Sequence, residues 1–153
     1  FGLMESAGVQ PGILAINYKM DVLRKLNRRQ DMFDLYNSLK RANSSGGGAG
    51  PVSFVVQPDS YTFHHLILAL IRANGNNGHA VASLLQDMED TQVAPTVEMF
   101  NSMIDGHGRK GELSEMFAVY QLMVERGMKP DLVVFCTIVT HLSNSDSVQD
   151  LPF

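Results

Sequence analysis

Val97-Glu-Met-Phe-Asn-Ser-Met-Ile-Asp-Gly-His-Gly-Arg-Lys-Gly-Glu-Leu-Ser-Glu-Met-Phe-Ala-Val-Tyr-Gln-Leu-Met-Val-Glu-Arg-Gly-Met-Lys-Pro-Asp131 reads as two short helices and the turns that end them. Phe100, Met103 and Ile104 recur at the three- and four-residue steps of an apolar helix face. Gly106, Gly108 and Gly111 are expected to weaken and end that helix. Ser114 or an acidic neighbour starts a second helix, with Met116, Phe117, Tyr120 and Met123 on its apolar face. Gly127 follows, where a left-handed cap is cheap for glycine. Pro130 cannot continue the helix.

The same plan recurs along the chain. Pro11, Pro58, Pro95 and Pro130 lie 47, 37 and 35 residues apart, each just past a helical pattern. Ile13 to Leu39 aligns on Val97 to Met123 without a gap, matching Asn17 with Asn101, Asp21 with Asp105, Met32-Phe33 with Met116-Phe117, and Tyr36 with Tyr120. The middle unit matches at Phe63, Leu66-Ile67 and Met88, and its two extra residues fall in the turn-rich run Asn74-Gly75-Asn76-Asn77-Gly78. Neither helix of a unit can bury its face alone, so stacked units are expected to bury them together, which predicts an all-α solenoid of helix-turn-helix repeats.

The first full unit is longer by 12 residues, which map to 44–55 and include Ser44-Ser45-Gly46-Gly47-Gly48-Ala49-Gly50-Pro51. Such composition does not pack, and it reads as a surface loop inserted after a second helix, with a linker between domains as the alternative. The predicted organisation is the end of a preceding repeat at 1–12, full repeats at 13–59, 60–96 and 97–131, a further first helix at 132–145 and a tail at 146–153. Terminal repeats normally carry a polar capping face. None is visible, so more protein is expected on both sides.

Composition narrows the function. The chain has 153 residues, 44% of them hydrophobic, and a formal charge of -4. A protein that grips nucleic acid by charge alone is usually basic, so any such role rests on local features. One cysteine, Cys136, excludes a disulfide framework within the chain. No stretch approaches the roughly 18 apolar residues of a membrane helix. The first residue is Phe1, not Met, so the chain reads as a fragment from which any targeting segment is expected to be missing. Gly106 to Gly111 formally fits a dinucleotide-binding glycine pattern, but that motif follows a strand, whereas here a helix precedes it. His64, His65, His79, His107 and His141 have no metal-ligand spacing. Asn43-Ser44-Ser45 matches a glycosylation acceptor, which matters only on secretion. No paired carboxylates, triad or cofactor motif stands out, so neither catalysis nor a cofactor is expected.

Period, turn, Gly-x-x-Pro ending and apolar pattern together resemble the pentatricopeptide repeat over nearly the whole chain. The tetratricopeptide repeat, with units of about 34 residues and a characteristic Trp, fits less well because this chain has no Trp. The resemblance implies an α-solenoid wound as a right-handed superhelix, acting in a mitochondrion or chloroplast. It implies single-stranded RNA on the inner face, about one base per repeat. In the family the fifth and last residues of a repeat choose the base. They are Asn17, His64, Asn101 and Cys136 at the fifth place, with Asp59, Thr96 and Asp131 at the last. Asn with Asp is associated with uracil, which implies a uracil preference for the first and third full repeats. The second residues, which sandwich the base in the family, are Leu14, Tyr61, Glu98 and Val133; Glu98 departs from the small aliphatic pattern. Lys25, Arg72 and Arg109 share a place near the end of the first helix, where the family often sets a basic residue near phosphate.

Two functions follow. One is single-stranded RNA binding in organellar RNA metabolism or translation. The other is a scaffold in an organellar ribosome or other ribonucleoprotein, held mainly by protein partners. The charge of -4, the irregular repeat lengths, Glu98 and His64 favour the second; the Asn/Asp pairs and the basic residues favour the first. No membrane partner is expected.

Overall fold

Short amphipathic helices set by the two apolar faces of each repeat account for the architecture. The computed structural model describes residues 12–44, 56–73 and 77–144. Among them the chain forms seven helices: α1 (Ile13–Lys25), α2 (Arg29–Ser44), α3 (Ser60–Ile71), α4 (Gly78–Asp90), α5 (Val97–Arg109), α6 (Leu113–Glu125) and α7 (Leu132–Ser143). None of these is long and apolar enough to cross a membrane. The expected end of a preceding repeat lies outside the described residues except for Gly12, which stands at the N-cap of α1. Residues 45–55, 74–76 and 145–153, which hold most of the Gly/Ser stretch, part of the Asn/Gly turn and the tail, also lie outside them.

The turns obey the repeat. Asn27 and Gly111 occupy the same place after the first helix, and Gln92 and Gly127 the same place after the second. All four have left-handed backbone, with φ of 55°, 72°, 58° and 72° respectively. That conformation is free for glycine and tolerated by asparagine, so Gln92 is the one whose side chain opposes it.

The helices group into two compact units, Phe1–Leu70 and Ile71–Phe153. In the first, Ile16 and Met20 of α1, Met32 and Tyr36 of α2, and Phe63, Leu66 and Ile67 of α3 are buried. Each such side chain contributes ~1.5–3 kcal/mol by leaving water. Tyr36 meets Phe63 edge-on, centroids 5.7 Å apart, so a second helix packs on the first helix of the next repeat. Asn43 Nδ2 donates to the Val56 carbonyl at 3.2 Å, joining the two flanks of the Gly/Ser stretch. Ser44, expected at the start of that stretch, is the last residue of α2.

In the second unit, Leu84, Leu85 and Met88 of α4, Met99, Phe100, Met103 and Ile104 of α5, and Met116 and Met123 of α6 are buried. Tyr120 and Phe135 repeat the Tyr36–Phe63 contact at 6.3 Å. Arg126, just past the end of α6, pairs with Glu89 of α4 at 2.8 Å.

One sequence expectation is corrected here. Gly106 and Gly108 do not end the helix; α5 runs through them to Arg109. They are needed because neighbours come too close for any side chain. A Cβ at Gly106 would strike the Ile71 side chain, and one at Gly108 would strike the ring and Cβ of His141. The turn comes at Lys110-Gly111. Of the two starts expected for the second helix, Ser114 or an acidic neighbour, it is the acidic Glu112 that stands at the N-cap, and it makes no side-chain cap. Its carboxylate instead meets His107 Nδ1 at 2.7 Å.

Replacing Gly108 with Ala is therefore expected to lower the unfolding free energy by about 1–3 kcal/mol, the usual cost of overpacking a tight contact. Denaturant unfolding of the two proteins measures it. An unchanged midpoint would mean that the His141 ring moves aside freely.

Candidate functional site

The last residue of each repeat is the N-cap of the next helix. Asp59 Oδ1 accepts from Thr62 N at 2.9 Å, Thr96 Oγ1 from Met99 N at 3.2 Å, and Asp131 Oδ1 from Val134 N at 2.9 Å. Sequence reading gave these three residues a base-choosing role and missed the cap. The signal was present, since Asp or Thr stands immediately before the first periodic residue of each helix.

In the first repeat the fifth and last residues meet. Asn17 Nδ2 donates to both carboxylate oxygens of Asp59, at 3.0 and 2.9 Å. Thr62, fully buried, has Asn17 Oδ1 at 2.7 Å and Asp59 Oδ1 at 3.1 Å as acceptors for its one hydroxyl proton, the shorter contact being to Asn17, and it accepts from Asp59 N at 3.3 Å. The last of these bonds makes Asp59 and Thr62 a reciprocal capping pair. Sequence reading did not single out Thr62.

The third repeat carries the same Asn and Asp but not the same network. Asn101 Oδ1 is buried with no hydrogen-bond partner among the described residues. The place of Thr62 is taken by Val134, which is fully buried and has no hydroxyl to offer. In the second repeat His64 is half-buried, its ring stacked 6.2 Å from that of His65, while Thr96 is exposed. Burial pushes His65 below the usual imidazole range, opposed by Asp21 and Asp59, so its ring is neutral near pH 7. Cys136 is free and exposed.

The four second residues, Leu14, Tyr61, Glu98 and Val133, are all exposed, at 78% for Leu14 and 63% for Tyr61. Large apolar side chains so placed are available to a flat apolar partner.

The basic residues are less uniform than their common position implies. Lys25 pairs with Asp21 at 2.6 Å, as does Arg24. Arg109 pairs with Asp105 at 2.8 Å, and His141 reaches the other oxygen of that carboxylate at 3.0 Å. Hydrogen bonds from Lys25 and then Arg24 hold the Asp21 carboxyl at about 2. Burial raises Asp105, but the bonds from His141 and Arg109 outweigh it and leave its pKa lowered. The second repeat has Leu68 where the others have Asp, so exposed Arg72 has no carboxylate partner among the described residues. Among those residues no group of three or more His, Cys, Asp or Glu is placed to hold a metal ion.

Two family models match this chain. One described as the PPR repeat family covers residues 95–144, and one described as the pentatricopeptide repeat domain covers 55–109, together more than half of the sequence. The chain belongs to the pentatricopeptide repeat family. A pentatricopeptide repeat-containing protein of Arabidopsis thaliana is 27% identical over 96% of this chain, which spans 26% of that relative. The pentatricopeptide repeat protein PPR10 from maize has the same fold, with a TM-score of 0.73 at 18% identity over 96% of this chain and 19% of that one. PPR10 in complex with an 18-nt psaJ RNA element gives 0.72 at 19% identity, over 94% and 19%. The fold is thus an all-α solenoid of pentatricopeptide repeats, of which this chain spans about a fifth to a quarter of the relatives' length.

Two stability effects are expected. Asp59→Ala should cost more than Asp131→Ala, because both remove a cap worth about 0.5–2 kcal/mol but only the first strands Asn17 and Thr62. Equal losses in denaturant unfolding would show that the Asn17 bonds contribute nothing. The Asp21 pKa is depressed from 3.8 to about 2, so its contribution is complete above pH 4 and is lost as pH falls through 2. The stability gap between wild type and Asp21→Asn should narrow over that window in acid titrations; a gap that does not narrow between pH 4 and pH 2 assigns it to another cause.

Proposed function

We propose that this chain binds single-stranded RNA, at most one base per repeat, through the second, fifth and last residues of its repeats, and that it acts in organellar RNA metabolism or translation. The observation that carries this reading is the Asn17–Asp59 pair. A short amide held by a carboxylate at 2.9–3.0 Å presents a donor of defined direction to a base edge. Exposed Leu14 and Tyr61 stand on the same unit with area for a base, and aromatic stacking of that kind is worth ~1–3 kcal/mol. The family membership and the likeness in fold to PPR10, solved with RNA, support the reading.

On this proposal Asn17 with Asp59 and Asn101 with Asp131 favour uracil. His64 with Thr96 is unselective, and Glu98 weakens the third repeat beside phosphate. Cys136 at the fifth place of the next repeat, with Val133 at its second, completes the set. Arg72 is the phosphate contact of choice, because Lys25 and Arg109 already carry carboxylate partners.

That neutralisation, with the net charge of -4, favours a second reading: a scaffold within an organellar ribosome or other ribonucleoprotein, held by protein contacts. Selection from a randomised single-stranded RNA pool by the full-length protein at near-physiological salt separates the two. Enrichment of two uracils flanking one variable base is expected, and no retention of RNA would favour the scaffold. Arg72→Gln should weaken all RNAs alike and reduce the salt slope by roughly 0.7.

A further inference from the structure

We infer that Thr62 sets which way the Asn17 amide faces, and so how sharply its repeat discriminates uracil from cytosine, whereas Val134 leaves Asn101 without that control. The inference rests on the proposed RNA reading and concerns the third residue of the following repeat.

A side-chain amide has two orientations about 180° apart that exchange its donor and acceptor ends. Around Asn17 only one is comfortable. Its carbonyl oxygen lies 2.7 Å from the Thr62 hydroxyl, and its nitrogen lies within 3.0 Å of both Asp59 oxygens. Turning the amide over would set its oxygen against the carboxylate, acceptor against acceptor. Thr62 is itself immobilised, being fully buried with its oxygen taking the Asp59 N–H. With the amide nitrogen on the carboxylate, on this inference one N–H is shared between the two Asp59 oxygens and the other is the group left for a base. An outward donor suits the O4 carbonyl of uracil and meets the amino group of cytosine as donor against donor.

Around Asn101 those constraints are missing. Val134 supplies two methyl groups where Thr62 has a hydroxyl, and Asn101 Oδ1 is buried without a partner. Asp131 spends Oδ1 on the Val134 N–H cap. Among the described residues no hydroxyl holds the Asn101 carbonyl in place, so its amide turns over more readily and its preference for uracil is weaker. The first and third repeats, identical at the fifth and last places, therefore differ in selectivity.

The test measures binding of the full-length protein to RNAs carrying U or C at the base facing each of these repeats. Wild type should discriminate more strongly at the first repeat. Thr62→Val should lower that ratio roughly three- to tenfold, about one hydrogen bond's worth. Thr62→Ser should keep it, and Val134→Thr should raise the ratio at the third repeat by a similar factor. Val134→Thr also answers the case in which Thr62→Val fails to fold. If Asn17→Ala abolishes the uracil preference while both the Thr62→Val and Val134→Thr ratios stay at wild type, the inference is overturned and the RNA reading stands. If Asn17→Ala leaves the preference unchanged as well, the RNA reading falls and this inference with it.

Discussion

A helix of twelve to sixteen residues is marginal by itself in water, and each of the seven among the described residues survives by burying one apolar face against a neighbour. Everything else follows from that need. The fully buried side chains recur at fixed places: Met32 and Met116 in one register of the second helix, Met88 and Met123 in another, Phe63 and Phe100 in the first helix. Methionine suits this role because its unbranched chain fills the irregular gap between helices that are similar but not identical. The aromatic contacts Tyr36–Phe63 and Tyr120–Phe135 repeat the same junction in two places, one in each unit.

Where the helices come closest, sequence is constrained by what must be absent. Gly106 and Gly108 leave α5 bare just where Ile71 and His141 press on it. His141 in turn reaches Asp105, one turn back along the same helix, so the bare surface also delivers a hydrogen-bonding ring to a carboxylate. At the repeat ends one carboxylate does two jobs. Asp59 caps α3 with Oδ1 and receives the Asn17 amide with both oxygens, so a residue proposed to recognise a ligand also holds the fold. Such residues answer to stability before they answer to specificity.

Much of this was legible in the sequence, because a period is a global signal that local noise does not erase. The two-helix unit and the left-handed Gly127 turn came from register, and the pairing of Asn17 with Asp59 from the family resemblance laid on that register. What escaped depends on distances between elements far apart in sequence. The glycines of α5 read as helix breakers because propensity says so; only the Ile71 and His141 contacts reveal that they are packing residues. Thr62 went unmarked, since nothing local shows that its hydroxyl meets a side chain 45 positions earlier. The basic residues looked like one stripe, yet whether each is neutralised is decided four residues upstream, by Asp21, Leu68 and Asp105.

The bond from Asn43 to the Val56 carbonyl has a practical meaning for the interrupted repeat. The bond ties the end of α2 to the residue from which the chain resumes, so the two flanks of the stretch are held to one another directly. The first full repeat thus has a natural splice point, where foreign peptide, a fluorophore-binding tag for instance, is accommodated without shifting the register of the helices around it.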